Sequence, residues 1–64
     1  MSDRAQRVLD ALMEYDADNN YEYPMTSIYY FFKDGRIEKV GKDYKALNAE
    51  EEKQVIKAFL EFAY

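Results

Sequence analysis

A two-layer α+β domain of order α-β-β-α is the fold class that this 64-residue sequence predicts. Three observations predict it. Both ends carry apolar residues at helical spacing, the middle is dense in β-branched and aromatic side chains, and Lys33-Asp34-Gly35-Arg36 divides that middle in two. The expected architecture is an antiparallel hairpin packed against N- and C-terminal amphipathic helices, a single small domain over residues 1–64.

The first helix is read from Asp3 to about Tyr15. Ala5, Val8, Leu9, Leu12 and Met13 fall on one stripe, with Arg7, Asp10 and Glu14 between them. Ser2 is a natural N-cap, and Asp3 stands where the positive end of the helix dipole favours an acid. Asp16-Ala17-Asp18-Asn19-Asn20 then stops the helix, because Asp and Asn side chains compete for backbone groups and tolerate turn conformations. Pro24 sets the chain before it extended.

Thr26 to Phe32 and Ile37 to Tyr44 read as the two strands of the hairpin. Two registers fit the turn. A two-residue type I′ turn at Asp34-Gly35 sets Phe32 opposite Ile37, whereas a type I turn with Gly35 as a left-handed bulge sets Phe31 opposite Ile37 and Tyr29 opposite Lys39. Either register puts aromatics on both sheet faces, and two helices cover only one. The other is then a larger apolar patch than a monomer of this size normally carries.

Asn48 followed by Glu51 is a capping-box pattern, and Val55, Ile56, Phe59, Leu60 and Ala63 continue as a helical stripe. Leu47 finds no hydrophobic-staple partner, since Glu52 stands where an apolar residue is needed. Tyr44 and Tyr64 are assigned to packing.

Composition limits the chemistry. The chain has no His and no Cys, so a disulfide, a thiolate nucleophile and an imidazole or thiolate zinc site are all excluded. A Ser or Thr nucleophile would lack its usual base, and with Gly35 and Gly41 the only glycines there is no phosphate-binding loop. Carboxylate pairs could do acid–base work, but so short a chain offers little cleft in which to desolvate them. No enzymatic activity, no catalytic residue, no metal and no cofactor is expected. Asp16, Asp18 and Asn20 do match the first three ligand positions of an EF-hand loop. The match ends at Tyr21, where glycine is needed for the sharp turn, and at Ser27, where a bidentate Glu is needed.

Charge is unevenly placed in a chain of net charge −4. Residues 1–24 hold two Arg against six acids, residues 25–45 five bases against three acids, and residues 46–64 two Lys against four acids. No apolar stretch is long enough for a membrane span, and Met1-Ser2-Asp3-Arg4 leads into a charged helix rather than a signal peptide, so a cytoplasmic protein is expected. So small a domain, without disulfide or metal, gains most from self-association, so a homodimer is expected.

Seven Tyr in 64 residues suit surfaces that bind as well as cores. The expected function is a non-enzymatic protein-binding module, a small acidic inhibitor or adaptor of phage or mobile-element type. It would block a host nucleic-acid-handling enzyme or defence complex by occupancy, its acids standing in a groove that normally holds nucleic acid. The expected contact residues are Asp16, Asp18, Tyr21, Glu22, Tyr23, Tyr29 and Phe31. The alternatives are a homo-oligomeric structural subunit, or a regulatory protein that stacks single-stranded bases on Tyr29, Tyr30 and Phe31 beside Lys33, Lys39 and Lys42. Direct nucleic-acid binding is disfavoured by the net negative charge, which weakens counterion release and repels phosphate.

Overall fold

The computed structural model describes residues 1–64, and it contains no strand. Four α-helices and one 3₁₀ helix follow each other: α1 (Asp3–Asn19), α2 (Pro24–Lys33), the 3₁₀ helix (Arg36–Val40), α3 (Gly41–Ala46) and α4 (Ala49–Ala63). The α+β expectation is overturned, and the fold is all-α, 83% helical.

The helices at the two ends form where the apolar stripes place them. Ser2 caps α1, its hydroxyl accepting from the Ala5 N–H at 3.2 Å. The helix runs one turn past Tyr15. Asn20, not Asp16, ends it, in the left-handed region at φ 54° with its N–H on the Asp16 carbonyl. Asn tolerates that conformation better than any residue but glycine. The capping box of α4 is complete, with the Glu51 N–H on the Asn48 side chain at 2.8 Å and the Asn48 N–H on the Glu51 carboxylate at 3.0 Å.

The expected hairpin is two helices and a 3₁₀ turn. Pro24 is the first residue of α2, where its fixed φ suits a helix and its missing N–H costs nothing. Tyr23 before it is extended, as a residue preceding proline should be. From there Pro24, Ser27, Ile28 and Phe31 turn inward at i, i+3, i+4 and i+7, which is helical spacing. A short, almost wholly apolar run satisfies the strand and helix periods equally, and β-propensity yields to packing against α1. Gly35, at φ 77°, is the left-handed residue that terminates α2, its N–H donating to the Phe32 carbonyl at 3.2 Å. The second expected strand, Ile37 to Tyr44, is divided between the 3₁₀ helix and α3.

The core is Ala5, Val8, Leu9, Leu12 and Tyr15 of α1 with Phe31 of α2 and Val55 and Phe59 of α4. Helices α1 and α4 run in the same direction and are tied at both ends. At the N-terminal ends Arg4 makes two hydrogen bonds, 2.8 and 2.7 Å, to the Glu51 carboxylate, which also accepts from the Ser2 hydroxyl. These bonds, Arg4 first, hold the Glu51 carboxyl down at about 2. At the C-terminal ends the Tyr64 hydroxyl donates to Asp16 at 2.7 Å, and its ring meets Phe59 edge-on. The middle of the chain packs Ile28, Ile37, Val40 and Tyr44 against this core and is fastened to α1 by polar contacts as well: Arg7 forks onto Asp43 at 2.9 and 2.8 Å, and the Tyr15 hydroxyl donates to Asp34 at 2.6 Å. No helix is long and apolar enough to cross a membrane.

Candidate binding surface

The surface is built outward from Tyr15. That side chain is buried in α1, and burial, with the hydrogen bonds to Asp34 and Tyr21, raises its phenol above the usual tyrosine range. Its hydroxyl is 3.1 Å from that of Tyr21, which lies in the turn after α1. The Tyr21 ring then stacks on Tyr30 at 5.6 Å, and Tyr30 meets Tyr29 edge-on at 5.0 Å. Four tyrosine rings thus run in contact from the core to the outer face of α2, where Tyr29 is 58% exposed. The Lys33 ammonium lies 5.5 and 5.7 Å from the Tyr29 and Tyr30 ring centres, and the Arg36 guanidinium lies 5.4 Å from that of Tyr15.

The expected contact residues divide accordingly. Asp18, Tyr21, Glu22 and Tyr23 lie at the end of α1 and in the turn before α2, with Tyr23 64% exposed, and Tyr29 stands in the middle of α2, joined to Tyr21 through Tyr30. Phe31 does not join them, because it is 1% exposed and part of the core. The expected exposed sheet face bearing Tyr29 and Phe31 does not exist: two residues apart on a helix, they point in different directions. Asp16 is half-buried and occupied by the Tyr64 hydroxyl, whose own ionisation burial and Asp16 push up to about 12. Asp18 is 3.7 Å from Arg36, while Glu22 is exposed and in no ion pair. With Asn20 holding the end of α1, the three residues of the calcium-like pattern already have other work.

Tyr30, Lys33 and Arg36 belong to this surface; Tyr30 and Lys33 were expected to make contact only in the base-stacking alternative, and Arg36 in neither reading. A signal for the first two existed: Tyr29 and Tyr30 are four and three residues before Lys33, helical neighbours that a strand would send to opposite faces. Along α1, Asp10, Glu14 and Asp18 form an exposed row every fourth residue. It is not a bare acidic run, because Asp10 and Glu14 share a cleft of about 280 Å³ with Arg7, Arg36 and Lys39.

A separate groove of about 270 Å³ lies between α2 and α4, floored by Val8 and Leu12 of α1. Glu52 is its only charged lining residue. No protein-family model, no curated protein and no solved structure matches the chain.

Proposed function

We propose that the protein is a small binding module that acts by occupancy, an inhibitor or adaptor that docks through the tyrosine face at the α1–α2 end onto a basic, nucleic-acid-handling protein. One observation carries this reading: the Tyr15–Tyr21–Tyr30–Tyr29 series anchors an exposed tyrosine on helix α2 from the core outward, with Asp18 and Glu22 exposed at the end of α1 and in the turn that follows it. Tyrosines anchored from within lose little side-chain entropy on binding, and an aromatic centre with a charged rim is the composition of an interface hot spot. The net charge of −4 would speed encounter with a basic partner. The base-stacking alternative loses its platform, since there is no sheet and Lys33 already covers two of the rings.

The test is capture by tagged protein from a nuclease-treated bacterial lysate, repeated with Tyr29→Ala and with Glu22→Lys. A stoichiometric protein retained by the wild type, and weakened about tenfold or more by each substitution, is the expected result. Capture indifferent to both substitutions, or of nucleic acid alone, would sink the reading.

A further inference from the structure

Apolar surface and positive charge meet at the groove between α2 and α4. Both helices pack on α1, and the space between them is open above Val8, Leu12, Phe31 and Val55. Its shoulders are apolar. On α2, Phe32 is 42% exposed, and Met25, seven residues back, is 81% exposed, with Tyr29 between them. On α4, Ile56 is 47% and Leu60, one turn further, 39% exposed. The borders carry the opposite charge to the molecule as a whole. Lys53 and Lys57 stand on α4 beside Ile56 and Leu60, and Lys42 and Lys45 stand on α3 beside Phe32 and Tyr44. All four lysines are exposed and in no ion pair, since the ion pairs of the molecule are made by arginines. Glu38 and Glu52 are the acids that share their hollows, so four cations stand against two anions in a chain of net charge −4.

The geometry points to an acidic amphipathic helix of a partner protein as the occupant, its apolar stripe laid over the groove and its carboxylates facing the four lysines. Charge selects the sign. A second copy of this chain would set lysine against lysine across a two-fold axis, and a basic helix would meet the same repulsion, whereas an acidic one gains from the border. The rest of the molecule is acidic, but screening confines its repulsion to about 8 Å at physiological salt. Shape selects a helix. At about 270 Å³ the groove falls short of the roughly 300–1,000 Å³ of small-molecule pockets. A flat bilayer surface would rest on the shoulders without reaching Val8 and Leu12, whereas a helix sends side chains at i, i+3, i+4 and i+7 down between two flanking helices. Area sets the strength. Taking a full large side chain as roughly 200 Å², Met25, Phe32, Ile56 and Leu60 leave on the order of 400 Å² of apolar surface in water. Both partners together then bury about 800 Å² of it, the size of a transient contact, and a Kd of about 1–100 μM is expected. The same lysines would repel the basic partner proposed for the tyrosine face, so the two surfaces take different partners, and the groove can be probed without the other.

The test is an anisotropy titration of the full chain into a fluorescein-labelled helical probe of about 20 residues, with Leu at the a and d positions of each heptad and Glu on both flanks. Saturable binding with a Kd of about 1–100 μM is expected, weakened about tenfold or more when Lys replaces Glu in the probe or when its residues are scrambled out of helical spacing. Lys53→Glu together with Lys57→Glu, and separately Ile56→Ser, should each weaken the acidic probe about tenfold or more with circular dichroism unchanged. Lys39→Glu, in the separate cleft with Arg7 and Glu14, should change it by no more than about threefold. Should one groove variant lose helix content, the other decides. No saturable binding up to about 1 mM, equal binding of the acidic and basic probes, or binding that ignores both groove variants overturns the assignment. Two other occupants would overturn it as well: retention on phosphatidylglycerol vesicles in place of probe binding, or self-association of the chain that Ile56→Ser abolishes.

Discussion

The α1–α4 pair and the segment from Pro24 to Ala46 are both helical, but they are held in different ways. The pair shares seven of the eight core residues and is closed at one end by Arg4 and Glu51 and at the other by Asp16 and Tyr64. The segment contributes Phe31 to that core and the buried Ser27, and its 3₁₀ helix and α3 bury no residue. It is fastened to α1 by Arg7 on Asp43 and Asp34 on Tyr15. Where apolar surface supplies the adhesion, the residue pattern and the structure agree. Where half-buried side chains such as Ile28, Ile37, Val40 and Tyr44 pack against that core and a few polar pairs fasten them, the pattern underdetermines the structure.

The largest effects should come from the one aromatic that each region places in the core. Phe59→Ala and Phe31→Ala each remove a side chain no more than 1% exposed and should cost about 3–5 kcal/mol, against a total of roughly 3–10 kcal/mol for a chain of this length. Urea unfolding followed by circular dichroism should find both variants largely unfolded. A Phe31→Ala variant that kept α1 and α4 intact would show that the middle segment can detach by itself, the sharpest form of the contrast.

Next come the caps. Asn48→Ala removes the side chain that starts α4 and should cost about 1 kcal/mol, or about 4–8 °C in Tm. The ties at the ends add a pH signature. The Glu51 carboxyl ionises near 2 in the folded state instead of 4.5, so its stabilisation is complete above pH 4.5 and is lost as pH falls toward 2. Tyr64 is raised from 10 to about 12, so its contribution is complete below pH 10 and is lost as pH rises toward 12. Thermal melts across pH should show both edges, Glu51→Gln flattening the acid one and Tyr64→Phe moving the alkaline one.

Smaller again is a pair of glycines. Gly35 needs its φ of 77°, and Gly35→Ala should destabilise by about 1 kcal/mol. Gly41 opens α3 at φ −58° with free space around it, and Gly41→Ala should stabilise by about 0.4–1 kcal/mol. Matched denaturation curves check the opposite signs. Phe62→Ala, at a position 76% exposed, should change stability by no more than about 0.5 kcal/mol.

Legibility follows the same division. The two flanking stripes were readable because charged residues interrupt them at fixed intervals, so only one period fits Ala5 to Met13 or Val55 to Ala63. Between Pro24 and Phe32 there is no charge to break the tie, and β-branched and aromatic content favoured the wrong answer. The decisive local marks were Pro24 as a helix start and Gly35 as a helix stop, which serve a turn and a bulge equally well. The error carried into the site. A strand separates Tyr29 from Tyr30 and pairs Tyr29 with Phe31, whereas the helix joins Tyr29, Tyr30 and Lys33 and turns Phe31 inward. Ser27 marks the same reversal: its hydroxyl is buried near the Tyr64 phenol without a hydrogen bond of ordinary geometry, a position that strand alternation does not disclose.

What the amino-acid sequence determined by itself is local: both flanking helices, the Ser2 and Asn48 caps, and the absence of His and Cys chemistry, because each depends on residues within a few positions of one another. Only the tertiary structure decided that the middle is helical, that Phe31 is core and that four tyrosines touch. Each of those outcomes depends on the apolar face of α1, which gives an ambiguous segment a surface it can cover as a helix.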